Sequence, residues 1–267
     1  MGEKQYYEAN KARWNELVAI HAKSKSYNLD GFIAGRNSLH ETELKILGDV
    51  RGKSLLHLQC HFGMDTISGA RLGAKVTGVD FSETAIEFAR VLAERTGVEA
   101  EFICSNVYDL LRVLDREYDI VFTSNGVLCW LRDIEEWGRI VARYVRRRGT
   151  FLLVESHPIM WIYDDESDDL RIRYGYWHKD EPYVWDNDGT YVDGEDHPVN
   201  KRSYEWQHTV GDVINSLIGS GLRIEAVGEY PWLPWRYVKK ASEDPAKGWI
   251  ILGDPLPQMW SVRATRD

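Results

Sequence analysis

Residues 55–80 decide the fold, and they read LLHLQCHFGMDTISGARLGAKVTGVD. The apolar run that ends at Leu58 predicts a buried strand, Gly63 predicts a sharp turn into a helix, and a second apolar run ends at Asp80. At such a turn the backbone and the helix amino end can bind polar groups of a ligand, and a carboxylate that ends the second strand can take both hydroxyls of a ribose. The stretch therefore predicts a βαβ unit with a nucleoside site at the carboxyl ends of its strands.

The same alternation of short apolar runs and helical periods continues toward the carboxyl terminus. Further strands are predicted at 101–104, 118–124 and 150–155, and two more, at 223–227 and 258–264, follow a polar, aromatic-rich segment and another helix. Strands separated by helices form right-handed parallel units. We therefore predict an α/β fold with a doubly wound, mostly parallel seven-stranded sheet, helices on both faces and a β-rich insertion after strand 5.

This pattern divides the chain into three parts. Residues 1–50 are predicted to form an N-terminal helical cover, residues 51–156 and 208–267 the ligand-binding domain, and residues 157–207 an inserted cap. The insertion follows the strand whose carboxyl end faces the ligand crevice, so it is placed to close the site. Its many aromatic residues and its thirteen acids against five bases suit a cationic ligand, with a solvated hairpin as the alternative.

In the N-terminal part, Trp14, Tyr27 and Phe32 are candidates for a lid over the ligand. The alternative for Trp14 is burial against the domain.

The composition of the 267-residue chain restricts the function classes. A formal charge of −9 disfavours nucleic-acid binding, and no apolar run reaches the roughly 18 residues that would span a membrane. The basic run Arg146–Arg148 is predicted to end a helix before Gly149. The amino end lacks a secretory signal, and three cysteines without paired spacing fit a reducing compartment, so we predict a cytoplasmic protein. No histidine pair has metal-site spacing, so no metal is predicted.

The loop after the first strand separates two classes of cofactor. Gln59 and His61 stand where a dinucleotide site needs glycines to approach a pyrophosphate, which disfavours NAD and FAD. S-adenosylmethionine has no phosphate, so a loop with few glycines can hold it. Here the chain resembles class I S-adenosylmethionine-dependent methyltransferases, whose first motif is an apolar strand followed by a D-x-G-C-G-x-G-like turn. That motif aligns with His57, Gln59, Cys60, His61 and Gly63, and His57 replaces the usual acid.

Two further segments resemble the same family by position. Asp80 is implied to hold the ribose of the donor, and Phe81 to lie against its adenine. Asn106 is implied to meet the exocyclic amine of the adenine, and the Val107 amide a ring nitrogen. As a structural alternative, Asp80 and Asn106 would only cap helices.

The end of the fourth strand is where donor methyl and acceptor meet in this family, and here it carries Thr123 and Ser124. Ordinary strand-end polarity is the alternative for both residues. Methyl transfer from a sulfonium needs in-line alignment of the reactants, and it needs a base only when the acceptor carries a proton. His157 and His208 are the candidate bases, and a structural or solvated role is the alternative for each.

The resemblance thus implies S-adenosylmethionine-dependent methyl transfer to a small-molecule acceptor. The segment after the fourth strand lacks the Asp/Asn-Pro-Pro-aromatic motif of the enzymes that methylate amino groups of DNA, so no nucleic-acid partner is predicted. Two alternatives stay open. One is a catalytically defective module that binds S-adenosylmethionine or a nucleoside, and the other is a nicotinamide-dependent oxidoreductase.

Overall fold

The computed structural model describes residues 3–194, 196–245, 247–253 and 256–267. Within these residues the α-helices are α1 (Glu3–Lys23), α2 (Leu29–Ile33), α3 (Glu41–Leu47), α4 (Met64–Arg71), α5 (Glu83–Thr96), α6 (Ile134–Tyr144) and α7 (Val210–Gly219). Short 3₁₀ helices lie at Val107–Arg112, Leu128–Trp130 and Met160–Ile162. Among the described helices, none combines the length and the apolar character that crossing a bilayer requires.

The strands of the same residues are β1 (Ser54–Leu58), β2 (Lys75–Asp80), β3 (Glu101–Cys104), β4 (Tyr118–Ser124), β5 (Val145–Ser156), β6 (Tyr183–Asp186), β7 (Arg202–Glu205), β8 (Leu222–Tyr230), β9 (Trp232–Leu233), β10 (Ser242–Asp244), β11 (Gly248–Ile250) and β12 (Met259–Arg266). A seven-stranded sheet has the order β3-β2-β1-β4-β5-β12-β8. In it β12 runs antiparallel to β5 and β8, and the other neighbouring pairs are parallel. The predicted doubly wound, mostly parallel sheet is confirmed.

The strand order determines where a ligand can bind. The chain moves outward from β1 to β2 and β3, and then returns to the other side of β1 with β4. In open α/β sheets the crevice forms at such a reversal, outside the carboxyl ends of the strands. We call this border, where β1, β2 and β4 end, the carboxyl edge.

Amphipathic helices cover both faces of the sheet. Asp133 caps α6, because its side chain accepts a hydrogen bond from the Glu136 amide at 2.8 Å. The apolar side of α6 is buried, and the rings of Trp137 and Phe151 of β5 meet at 5.6 Å. One hydrophobic cluster joins α6 and α7 to the sheet, and two others pack α3, α4 and α5 against it. These packed layers hold the carboxyl edge in place.

The strand β5 begins earlier than the sequence indicates. Because α6 ends at Tyr144 and Arg146–Arg148 lie in β5, the prediction that this basic run ends a helix before Gly149 was wrong. Arg148 has φ 60°, and the pairing register with β4 shifts after Tyr118, which is the geometry of a bulge. Three consecutive arginines have neither helical nor strand periodicity, so the pattern could not reveal the bulge.

The insertion after β5 contains a hairpin that packs against α1. Strands β6 and β7 pair antiparallel, and Asn10 of α1 exchanges two hydrogen bonds of 2.8 Å with the Tyr204 backbone. Arg13 donates to carbonyl oxygens of the same insertion, those of Asn187, Gly189, Asn200 and Lys201. Glu195, one of the acids counted in the insertion, lies outside the described residues. Helix α1 and the insertion after β5 therefore contact each other directly.

A small antiparallel sheet with the order β10-β11-β9 lies between β8 and β12 in the chain. The sequence pattern does not predict the strands of this small sheet. Its strands have two or three residues each, which is too short for an alternating pattern to be recognised.

Candidate functional site

The turn after β1 holds three residues in the left-handed region. They are Gln59 with φ 57°, His61 with φ 50° and Gly63 with φ 80°. A Cβ on Gly63 would lie 2.6 Å from the Phe102 ring, so this position requires glycine. The Cys60 side chain is buried in a hydrophobic cluster with α5 residues. Backbone strain at two non-glycine residues is typical of functional sites.

Asp80 fixes this turn against the end of β2. Its carboxylate accepts hydrogen bonds from the His61 amide at 2.8 Å and the Ser82 amide at 2.9 Å. Burial raises the pKa of Asp80 to about 6, against the opposing effect of these amides. Each carboxylate oxygen can still accept another hydrogen bond, so Asp80 can hold both the turn and a ligand.

The candidates for the adenine side lie at the neighbouring ends of β2 and β3. Phe81 follows Asp80 and is half-buried. Asn106 caps the 3₁₀ helix that follows β3, because its side-chain oxygen accepts from the Tyr108 amide at 3.1 Å. The Val107 side chain is buried in the core. The structure therefore brings these residues together, and the capping role considered for Asn106 is present.

A buried hydrogen-bond network connects β1, α4 and β4. His57 Nδ1 lies 2.9 Å from Thr66 Oγ1, and His57 Nε2 lies 3.0 Å from Ser124 Oγ. Ser124 Oγ also donates to Asp65 at 3.3 Å. Burial lowers the pKa of His57 to about 4, so its ring is neutral at pH 7. Thr123 is fully buried, and its hydroxyl has no hydrogen-bond partner among the described residues.

Glu155 at the end of β5 binds the loop after β4. It was not among the site residues predicted from the sequence. Its carboxylate accepts hydrogen bonds from the amides of Gly126, Val127 and Leu128, and from Ser156. Burial raises its pKa, with these amides opposing the effect. An acid at the carboxyl end of an otherwise apolar strand was the signal that could have identified it.

An aromatic roof covers the turn, and we define it as Trp14, His21, Tyr27, Tyr191 and Trp235. The His61 ring lies 5.2 Å from Trp14, 5.1 Å from His21 and 5.9 Å from Tyr27, measured between ring centroids. Burial lowers the pKa of both histidines, that of His21 to about 3.

The other roof residues come from distant parts of the chain. The Tyr27 and Tyr191 hydroxyl oxygens lie 2.5 Å apart, and the Trp235 ring lies 6.1 Å from Tyr191. A Cβ on Gly126 would lie 3.6 Å from Trp235. Phe32, the remaining lid candidate, is fully buried in the core and does not join the roof. Helix α1, the insertion and the segment after β9 thus meet over the carboxyl edge.

The two candidate bases have different surroundings. His157 Nε2 lies 3.1 Å from Glu229, and its Nδ1 accepts from the Ile159 amide. His208 Nε2 donates to the Leu131 carbonyl at 2.6 Å, whereas its Nδ1 is buried without a partner among the described residues. Burial lowers the pKa of both, that of His208 to about 4.

Several buried polar atoms at the carboxyl edge and under the roof have no hydrogen-bond partner among the described residues. They are Glu43 Oε2, Gln59 Oε1, Asn125 Oδ1, Thr123 Oγ1, His61 Nε2, His21 Nδ1 and Trp14 Nε1. Since buried polar groups are as a rule paired, such a cluster indicates a ligand. S-adenosylmethionine fits this mixture, because its ammonium and hydroxyls donate hydrogen bonds and its carboxylate accepts them. Within the described residues no group of three His, Cys, Asp or Glu side chains could hold a metal ion.

Comparisons with known proteins identify the central part of the chain. Residues 56–153 match the family model described as a methyltransferase domain. The chain is 34% identical over 152 residues to the ubiquinone biosynthesis O-methyltransferase of Proteus mirabilis (strain HI4320), a match that covers 51% of this chain and 62% of that relative. It is 39% identical over 75 residues to the protein of the same name from Shewanella pealeana, covering 28% of this chain and 31% of the relative. The chain thus spans less than two thirds of the length of these relatives.

Most of the fold also has a solved counterpart. A putative S-adenosylmethionine-dependent methyltransferase from Listeria monocytogenes superposes with a TM-score of 0.61 at 20% identity, covering 85% of this chain and 96% of that one. At this identity the likeness concerns the fold. The chain therefore has the fold of solved S-adenosylmethionine-dependent methyltransferases, and its residues 56–153 match the model of a methyltransferase domain.

Proposed function

We propose that the chain is an S-adenosylmethionine-dependent methyltransferase whose acceptor is a small molecule. The observation that carries this proposal is the cluster of unpartnered buried polar atoms at the carboxyl edge, next to Asp80 and beside the strained turn after β1. The matched methyltransferase domain supplies the β1, β2 and β4 ends that form this edge.

The nucleoside part of the donor is assigned to the ends of β2 and β3. Asp80 would accept hydrogen bonds from the ribose hydroxyls with the lone pairs that the turn leaves unused. Half-buried Phe81 would lie against the adenine, and Asn106 with the Val107 amide would meet its polar edge. The support is their placement on adjacent strand ends.

The methionine part is assigned to the turn and to the end of β4. Gln59, His61 and Thr123 each have a buried polar atom that lacks a partner, so each can bind the donor. Ser124 is already bonded to the His57 network and would hold its neighbours in position. Cys60 would contribute only its backbone, because its side chain is in the core.

The donor, when bound, supplies a methyl group that is already activated as a sulfonium substituent. The remaining task of the chain is to align the acceptor with that methyl and to exclude water. The aromatic roof is placed for the second task. Of the two candidate bases, His208 is better supported than His157 for an acceptor that must lose a proton, because its Nδ1 is unpartnered.

The proposal that the acceptor is a small molecule is supported by the net charge of the chain and by the aromatic roof. The matches to the two ubiquinone biosynthesis enzymes cover 28% and 51% of this chain, so the acceptor of those enzymes is not transferred to it. The charge of −9 argues against nucleic acid, and a small molecule fits a site closed by a roof. We also propose a cytoplasmic location, supported by three cysteines that all remain unpaired.

Two measurements test this proposal. In thermal denaturation, S-adenosylmethionine and S-adenosylhomocysteine should raise the melting temperature, whereas NAD and NADP should leave it unchanged, because only a ligand of the native state stabilises it. A panel of small-molecule acceptors is then screened for S-adenosylhomocysteine release. Stabilisation by NAD alone would contradict the donor assignment. Binding of the donor without turnover on any acceptor in the panel would support the binding-module alternative.

A further inference from the structure

Glu43 is a buried carboxylate with one unsatisfied oxygen. It lies in α3, directly before β1, and is 1% exposed. Its Oε1 accepts a hydrogen bond of 2.7 Å from the Asn125 side chain, which follows β4. Its Oε2 is buried and has no partner among the described residues. Burying a carboxylate is costly unless a cation or several donors compensate it.

The unpartnered acceptor atoms at the carboxyl edge indicate the chemistry of the missing partner. Asn125 Oδ1 and Gln59 Oε1, at the ends of the neighbouring strands β4 and β1, also lack partners. All three atoms are hydrogen-bond acceptors. A ligand that satisfies them must bring donors, and an ammonium group brings three N–H donors together with the positive charge that a buried carboxylate needs.

No lysine or arginine side chain in the described part of the chain takes this role. Among the described residues, no lysine or arginine forms an ion pair with Glu43. The charged neighbours are Asp65, which opposes ionisation of Glu43, and His40, which favours it and is exposed to solvent. His57 of β1 is neutral at pH 7, so it supplies no positive charge that would compensate Glu43.

We propose that Glu43 binds the ammonium group of the methionine part of the donor, with the side-chain oxygens of Asn125 and Gln59 as further acceptors. This assignment rests on the proposed function. It deepens that function by making a residue outside the matched domain responsible for recognising the amino-acid end of the donor.

The test compares two ligands that differ at the amino-acid end. S-adenosylhomocysteine carries the ammonium, whereas 5′-methylthioadenosine carries the same nucleoside without it. Both are titrated by calorimetry into the wild type, Glu43→Gln and Glu41→Gln, an exposed glutamate of the same helix that serves as matched control. Glu43→Gln should weaken S-adenosylhomocysteine about tenfold or more and leave 5′-methylthioadenosine unchanged, because only the first ligand loses a charged partner. Glu41→Gln should bind both ligands as the wild type does.

The outcomes separate this inference from the proposed function. Unchanged affinity of Glu43→Gln for S-adenosylhomocysteine, or an equal loss for both ligands, would overturn the role of Glu43 while the donor site stands. Glu43→Asp retains the charge and should recover part of the affinity for S-adenosylhomocysteine; no recovery in a folded variant would also count against the assignment. If the wild type binds neither ligand, the proposed function itself fails.

Discussion

Asp80 is a buried carboxylate that binds the turn after β1, and we propose that it also binds the donor. Removing its charge should weaken S-adenosylhomocysteine by about 1.5–3 kcal/mol, the usual worth of a hydrogen bond to a charged group. The measurement is a calorimetric titration of Asp80→Asn and of Asp115→Asn, whose side chain is 88% exposed and forms only a surface ion pair. Equal affinities for Asp80→Asn and the wild type would remove Asp80 from the site.

The same residue predicts a pH dependence of stability without ligand. Burial raises the pKa of Asp80 in the folded chain to about 6, above its value of about 4 in an unfolded chain. The folded state therefore keeps a proton that the unfolded state releases, and for this group the free energy of unfolding falls by about 2 kcal/mol as the pH rises from 4 to 7. The unfolding free energy of the wild type minus that of Asp80→Asn should fall by this amount between pH 4 and pH 7. A difference that rises with pH would contradict the burial effect.

Some site residues were predictable from the sequence and others were not. Asp80 and Gly63 follow from local pattern, because an acid that ends a strand and a glycine at a sharp turn have local physical causes. Glu43 and His21 lie on helices that precede residues 55–80, and only tertiary packing brings their side chains to the carboxyl edge. From the sequence, His57 is only a residue that replaces the usual acid of the motif. In the structure it lies at the centre of a hydrogen-bond network.

At the scale of elements, the loop after β4 depends on the carboxylate at the end of β5. Glu155→Gln would replace one acceptor oxygen by an NH₂ group that faces backbone amides, so donors would oppose donors. We expect a loss of about 2–4 kcal/mol in unfolding free energy, measured by urea denaturation. Glu135→Gln, an exposed change in the first turn of α6, is the control. A change below about 0.5 kcal/mol for Glu155→Gln, the usual range for surface substitutions, would show that the loop does not need this anchor.

The contact between α1 and the insertion depends on Arg13. Arg13→Met keeps the apolar stem but removes the donors to four carbonyl oxygens of the insertion. Proteolysis within residues 187–202 should become about tenfold faster or more, because local opening costs less free energy. Lys23→Met, which removes an exposed ion pair with Asp196, should change the rate little. Equal rates for both variants would refute the anchoring role.

Among the elements, the regular ones were predictable and the irregular ones were not. The alternation of strands and helices from Lys53 to Glu155 gave the parallel part of the sheet, and the stripe that begins at Val210 gave α7. The start of β5 was wrong because a bulge has no sequence period, and β9, β10 and β11 are too short to carry one. Pairing partners of such short strands are set by tertiary packing.

At the scale of the whole molecule, three distant segments close over one edge of the sheet. Trp14 and Tyr27 come from the N-terminal part, Tyr191 from the insertion and Trp235 from the segment after β9. A donor bound at the carboxyl edge would lie next to this roof, so ligand binding should slow the hydrogen exchange of both the edge and the roof. The division into cover, domain and cap stays a prediction.

The donor site at the carboxyl edge is tested by hydrogen–deuterium exchange with and without saturating S-adenosylhomocysteine, because this measurement locates the ligand along the chain. We predict slower exchange in residues 59–63, 80–82, 105–107 and 123–128, which form the proposed site, and in residues 14–27 and 190–192 of the roof. Exchange that stays unchanged at the carboxyl edge while the ligand is bound, or protection confined to another surface, would contradict the donor site proposed for this chain.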